Sequence, residues 1–358
     1  TLDFNFAATK KLDPRLEYQR TGSASFTNEF GKVVLVGDNT PRFDHDPVTR
    51  ECKGLLIEES RTNYIRESLT LATDWYAGSG SYGYDAAITN PDGSVGAYYH
   101  TGAELYHDNI DLSGASTNVV IISMWVKARS GQTGVMDIQL YQQISGTVVD
   151  MGAFAVNPVT GTVNTNGARW SDGKVTEYPN GWYRFSAKAT TASGNFTSST
   201  RLDLQNNEHY VWGVQVEVGS FVTSFIPTRG ESVTRGQDLL AMRGTDLDDI
   251  FNPNEGTMFY EASVTDLTNA NQPIVAFRNS LNTAEEFYAM GHATGGSPGY
   301  VRVWAKNSDG TNKHLTTHTS AALIADTPYK HAFGYAYNNY SDVFTQGTTS
   351  SQLNTTSG

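Results

Sequence analysis

YVWGVQVEVG, residues 210–219, is the stretch on which the reading of the fold turns. Val211, Gly213, Gln215 and Glu217 alternate with Trp212, Val214, Val216 and Val218, a period of two that only a β-strand sorts onto opposite faces. One row is apolar and the other mixed, which predicts a half-buried antiparallel strand. The same texture recurs outward from it, in VVIISMWVKA (119–128), VMDIQLYQQI (135–144), VVDMGAFAV (148–156), WYRFSAKAT (182–190) and RLDLQ (201–205). Turn signals separate these runs: NPDGS (90–94), SGQTG (130–134), NPVTG (157–161), PNG (179–181) and ASGN (192–195). No helix-period segment intervenes. Residues 67–235 therefore read as an antiparallel jelly-roll β-sandwich, with Trp125, Trp182 and Trp212 in its core.

The composition agrees. Charged residues are 17% of the 358, below the roughly 25% of an average globular chain, while there are 34 Gly, 19 Tyr and 16 Phe. Aromatic residues fill pleated faces and glycines make turns, so the whole chain is expected to be all-β. A net charge of -12 and a pI near 5.1 leave no electrostatic footprint for nucleic acid, and no Lys/Arg run addresses an anionic membrane. Cys52 stands alone, so no intrachain disulfide framework forms. No run of about 18 apolar residues is present, so no membrane insertion is expected. The first residues lack the apolar centre of a signal peptide, and synthesis in a cytoplasm is expected. No period of 20–50 residues marks a solenoid or propeller.

Texture divides the rest. Residues 1–66 are the most charged and read as an N-terminal assembly segment; 236–255 form a polar linker. Residues 256–358 open a second sandwich with GTMFYEASV (256–264), PIVAFR, EFYAMGHA, YVRVWAK and HAFGYAY, and NSDGTN (307–312) is placed as a hairpin turn. The polar run QGTTSSQLNTTSG lacks a closing strand, so this sandwich reads as incomplete.

The charge-dense stretch PRFDHDPVTRECKGLLIEESRTNYI, residues 41–65, is the first candidate for chemistry. Arg42–Asp46 reads as a strand, Pro47–Lys53 as a turn and Gly54–Ile57 as a strand buried on both faces. Glu58 and Glu59 point apart on a strand and cannot act as a glycosidase pair. Arg42, Asp44 and Asp46 share a face, which suggests an ion-pair ladder more than a catalytic site. The eight histidines have no metal-ligand spacing, and no Gly-x-Ser-x-Gly elbow marks a nucleophile. Asp44 with Asp46, or Asp246, Asp248 and Asp249, offer oxygen to calcium, but no EF-type loop exists. No catalytic residue, metal or cofactor is expected. Arg42, Asp44, Asp46, Glu58, Glu59 and Arg61 are assigned to assembly, fixing register and joining the segment to the sandwich or to a neighbouring subunit.

Surface recognition remains. Trp75, Tyr76, Tyr82 and Tyr84 cluster around Gly78, Gly80 and Gly83, with Tyr98, Tyr99 and Tyr106 following. Rings on glycine-rich loops stack on sugar faces while neighbouring polar groups bond hydroxyls. Core filling is the competing role for each ring, and Tyr82 is the one expected at the surface.

Residues 41–63, with Pro-Arg, Asp-Pro-Val-Thr, Gly-Leu-Leu-Ile-Glu-Glu and Arg-Thr-Asn, resemble a signature of tailed-phage virion proteins. NGWYRFSAKAT (180–190) and YVWGVQVEVGSFVTSFIPTRGESVTRGQDLL (210–240) resemble the same family's last strands, and the region from 256 is similar to the start of a laminin-G or concanavalin-like sandwich. One departure is Arg50-Glu51, in a turn where that family commonly has glycine. The resemblance implies a non-enzymatic virion protein of a tail fibre or other host-attachment structure. Its middle domain would be a carbohydrate-binding jelly roll contacting host-surface polysaccharide, its partners would be other virion proteins, and a homotrimer is what fibres of this kind imply. A head-decoration or tail-scaffold role is the alternative; a glycan depolymerase is the third reading.

Overall fold

The computed structural model describes residues 2–71, 73–115, 117–144, 147–165, 167–191, 194–197, 199–206, 208–252, 254–265, 267, 272–278, 286–293, 300–306, 312–318, 323–336, 339–346 and 352–357. The chain clusters into two compact units, residues 1–243 and 244–358. It is all-β apart from short helical turns, as its composition requires.

The first unit begins with helix α1 (Phe6–Thr9) and strands β1 (Glu17–Gln19), β2 (Ala24–Thr27), β3 (Val33–Val36), β4 (Phe43–His45), β5 (Cys52–Leu55) and β6 (Arg61–Asn63). β2 pairs with β3 and β4 with β5, both antiparallel. The sandwich follows: β7 (Trp75–Thr89), β8 (Val95–Ile110), β9 (Val119–Lys127), β10 (Met136–Ile144), β11 (Thr147–Asn157), β12 (Thr162–Asn164), β13 (Trp170–Tyr178), β14 (Trp182–Thr190), β15 (Thr200–Gln205) and β16 (Tyr210–Val218). Two exit strands, β17 (Val233–Arg235) and β18 (Leu239–Ala241), return to pair with β6 and β1. Residues 1–66 and the first part of the expected linker therefore belong to the same compact unit as the jelly roll. Of the short N-terminal strands, β1 and β6 lack partners until the chain comes back.

β8 joins the two layers. Its first part pairs with β16 at Tyr98 and Tyr99, its second part with β15 from Glu104 to Ile110, and β7 runs along its other edge. One layer is thus β8-β15-β10-β11-β12, the other β8-β16-β9-β14-β13. Between them lies a core of Leu105, Val120, Ile122, Met124, Ile138, Leu140, Phe154, Phe185, Leu202, Leu204, Val214 and Val216, among others. These are the apolar rows predicted by period-two alternation.

β16 departs from its predicted pattern in two ways. It is buried on both faces from Tyr210 to Glu217, and Trp212 leaves the row of Val214 and Val216. The cause is a bulge: register on β9 slips between Trp212 and Gln215. Gly213 sits there at φ 65°, where a Cβ would lie 2.7 Å from the Trp125 ring. Trp212 thereby joins a second cluster on the outer face of this layer, with Trp125, Trp182, Tyr178, Tyr210, Phe225 and Val33. The N-terminal segment and the exit segment cover that face. Asn63 donates to the carbonyls of Val214 (3.2 Å) and Ile226 (2.9 Å), and Gln215 accepts from the Ile226 amide at 2.7 Å. One outer face of the sandwich is consumed in this way; the other is not.

The second unit holds α2 (Thr245–Asp248) and β19 (Glu255–Ala262), β20 (Gln272–Arg278), β21 (Glu286–Ala293), β22 (Tyr300–Lys306), β23 (Asn312–His318), β24 (Tyr329–Ala336), β25 (Asn339–Gln346) and β26 (Gln352–Ser357). They form two four-stranded antiparallel sheets, β19-β24-β25-β26 and β20-β21-β22-β23. Met258, Tyr260, Val301, Val303, Tyr329, Phe333 and Tyr335 make its core. The polar run at 352–357 forms β26 and pairs with β25, against the expectation that this stretch supplies no strand. Cross-strand pairing, rather than hydrophobicity, recruits it. β22 and β23 pair antiparallel as expected, and residues 307–311 of the turn between them lie outside the described residues.

Candidate functional site

The charged N-terminal motif builds an internal hub. Its members come from four places in sequence: Arg20 after β1, Arg42 before β4, Glu58 after β5, and Arg235 and Asp238 at the exit strands. Arg42 reaches Glu58 at 2.6 Å and Asp238 at 2.5 Å; Arg235 reaches Glu58 at 2.8 Å; Arg20 lies 3.4 Å from Asp238. The side chains of Arg20, Arg42, Arg235 and Asp238 are all fully buried. Ser224 donates its amide (2.7 Å) and hydroxyl (2.6 Å) to the Glu58 carboxylate, and Tyr18 hydrogen-bonds Asp238. The excess of guanidinium over carboxylate is met by backbone: Arg20 donates to the carbonyls of Gly22 and Gly37, and Arg42 to Ser25. Such a network fixes geometry more than it stabilises.

Several expectations about this motif change. Arg42 pairs with Glu58 and Asp238, not with Asp44 or Asp46. The pairing of β4 with β5 is irregular between Asp44 and His45, which breaks the ladder. Asp44 accepts from the Thr27 amide at 2.8 Å, and burial pushes its carboxyl up. Asp46 instead caps the turn, accepting from Val48 (2.9 Å) and Thr49 (2.8 Å). Arg50 sits in that turn at φ 67°, the left-handed conformation that favours glycine. Residues 56–60 leave the ladder and Ile57 is 50% exposed, so the expected strand buried on both faces is not formed. Arg61 takes Glu59 (2.5 Å), lies over the Phe221 ring at 4.7 Å and donates to the Val218 carbonyl, beside the hub rather than in it.

Burial alone would raise the Glu58 carboxyl. The guanidiniums of Arg235 and Arg42 and the Ser224 hydrogen bonds outweigh it and hold the group down to about 2. A carboxyl lowered on folding contributes stability above its ordinary value of 4.5, and that stability disappears as pH falls toward 2. Acid titration of the unfolding free energy should lose about 3 kcal/mol between these limits. Glu58→Gln should flatten that segment of the curve, and an unchanged curve would refute the assignment.

The uncovered outer face belongs to the β15-β10-β11 layer with the second part of β8. Alternation places Glu104, Tyr106 and Asp108 of β8 outward, with Arg201, Asp203 and Gln205 of β15, Asp137, Gln139 and Tyr141 of β10, and Asp150 of β11. Register aligns them in rows: Tyr76–Tyr106–Asp203–Gln139 in the centre, flanked by Arg201–Tyr141–Asp150 and Glu104–Gln205–Asp137. Tyr76 stacks on Tyr106 at 5.6 Å, and the Arg201 guanidinium sits 3.7 Å from the Tyr106 ring centroid and 5.6 Å from that of Tyr141. Arg201 is forked onto Asp203 (2.5 and 2.8 Å) and also pairs with Glu104; Gln139 donates to Asp150 at 2.7 Å. Burial pushes the Asp203 carboxyl up, Arg201 pulls it down, and a hydrogen bond with Glu104 pushes it up again, to about 6. The result is a platform of rings bordered by acceptors and amides.

Of the four rings singled out from sequence, only Tyr76 stands on this platform. Trp75 is 3% exposed, donates to the Glu67 carbonyl at 2.8 Å and packs edge-on against His107, so it is a core residue and not a binding ring. The glycine-rich stretch is the strand β7 rather than a loop. Tyr82 is 40% exposed, as expected, but its hydroxyl is tied to the Trp75 carbonyl and its ring meets His100. Tyr84 leans on Tyr98 at 5.0 Å. The tie to Trp75 holds Tyr82 next to Tyr76, at the border of the platform, whereas Tyr84 lies farther along the hairpin. Tyr141, Arg201, Asp203 and Glu104 carry no motif of their own; the one signal for them is polar or tyrosine side chains at alternate positions in ELYHD, DIQLYQ and RLDLQ.

No family model matches the chain, and no curated protein matches it. Among solved structures, the CBM22-1 xylan-binding domain of Xyn10C from Paenibacillus barcinonensis is similar over 47% of this chain and 94% of that one, at 11% identity and a TM-score of 0.28. A likeness at that level carries no argument about fold or function.

Proposed function

We propose that this chain is a non-enzymatic attachment protein of a phage virion, in a tail fibre or similar adhesion structure, whose jelly roll binds host-surface polysaccharide through the Tyr76–Tyr106–Tyr141 platform. The observation that carries the binding half is the asymmetry of the sandwich: one outer face is sealed by the N-terminal and exit segments, while the other displays tyrosine rings among hydrogen-bonding side chains. Sugar rings stack on such faces, and vicinal hydroxyls donate to carboxylates and amides. The virion half is supported by the resemblance of residues 41–63, 180–190 and 210–240. A hydrolytic role fits poorly, because a glycosidase needs two carboxyls about 5–9 Å apart across one bond. Glu104 and Asp203 instead share Arg201 and a hydrogen bond. A single platform of this kind gives affinity near millimolar, about 4 kcal/mol, so attachment would draw on many copies. Affinity electrophoresis of the full chain through gels containing host-type polysaccharides tests the reading. Retardation by at least one supports it; free migration in all of them favours a decoration or scaffold role.

A further inference from the structure

Resting on that reading, we infer that the platform selects uncharged polysaccharides and rejects anionic ones. The strands of this face carry five carboxyls, Glu104, Asp108, Asp137, Asp150 and Asp203, against one guanidinium, Arg201. An arginine on an aromatic face would ordinarily be the fork that captures a uronate, sialate or phosphate. Here that fork is occupied. Nε and Nη2 of Arg201 are committed to Asp203 and Glu104, and its plane lies against the Tyr106 ring.

The neighbouring cations do not reverse this. Arg169 approaches from beside β13, yet its Nη1 is turned to the Asp150 carbonyl at 3.4 Å and the Met151 sulfur at 3.5 Å. Arg66 is paired with Asp74 at 3.1 Å. A polymer bearing a carboxylate on each repeat would set like charges against the acidic rows, with repulsion that spans about 10 Å at ordinary salt. Neutral sugars meet no such opposition. Asp108, Asp137 and Asp150 accept their hydroxyls, Gln139 and Gln205 both donate and accept, and Tyr76 and Tyr141 supply stacking area.

The test is affinity electrophoresis of the full chain against a neutral β-glucan, a neutral galactomannan, polygalacturonate and hyaluronan, at low and at high salt. Binding to a neutral polymer with at least tenfold weaker binding to both polyanions supports the inference, as does narrowing of that gap in high salt. Polyanion binding equal to or tighter than neutral binding overturns it while leaving carbohydrate binding intact. No retardation by any of the four counts against the parent reading instead. The double variant Asp108→Lys/Asp137→Lys provides a second arm, with thermal melting to confirm folding. Gain of polyanion binding supports the charge argument, and no gain in a folded variant contradicts it.

Discussion

Arg42→Ala is expected to lower the unfolding free energy of the 1–243 unit by about 3–5 kcal/mol, the cost of stripping one partner from a buried ionic network. Among the described residues, Arg42 alone contacts both carboxylates of the hub and Ser224 besides, through bonds of 2.6, 2.5 and 2.6 Å. Without it, Asp238 retains Arg20 and Tyr18, Glu58 retains Arg235, and each is left partly uncompensated away from water. The damage extends beyond local contacts, because the hub closes a chain loop from β4 to the exit strands and thereby holds the cover over Trp125 and Trp212. Urea denaturation followed by tryptophan fluorescence reads it directly. Arg61→Ala makes the comparison: it loses a half-exposed partner, Glu59, and a cation–π contact, so about 1–2 kcal/mol is expected. If the two variants lose equal stability, the hub is not centred on Arg42.

Tyr106→Ala should abolish measurable polysaccharide binding. The ring is the middle of the platform, stacked on Tyr76 on one side and beneath the Arg201 guanidinium. Its removal takes away the support of the exposed Tyr76 ring and unpins Arg201, so a loss of at least 2 kcal/mol, roughly thirtyfold, is expected for a central aromatic anchor. Starting near millimolar, that puts binding beyond detection by calorimetry or affinity electrophoresis. The fold should survive, since Tyr106 lies outside the core and its half-buried side chain faces away from it. Tyr84→Ala is the control. Its ring leans on Tyr98 farther along the hairpin, so binding should hold within about twofold. Loss of binding in Tyr84→Ala with retention in Tyr106→Ala would move the site to the hairpin.

The all-β class, the antiparallel sandwich and its core rows follow from the sequence by itself, because alternation is a local property: each apolar run carries its own period and faces. A turn after Asp46 was legible too, although the expected span Pro47–Lys53 is cut short by β5, which begins at Cys52, and so was Tyr82's exposure. What the tertiary structure decided was pairing between segments far apart in the chain. Arg42 could as well have served Asp44, two residues away, until β17 and β18 brought Arg235 and Asp238 to it across almost two hundred residues. Nor does periodicity say which face of a sheet meets solvent. The bulge at Gly213 turned Trp212 outward, a neighbouring segment sealed that side, and the tyrosines left uncovered were those of β7, β8 and β10, aligned only by strand register. Period two assigns a side chain to one of two faces; what lies against that face is fixed by the rest of the fold.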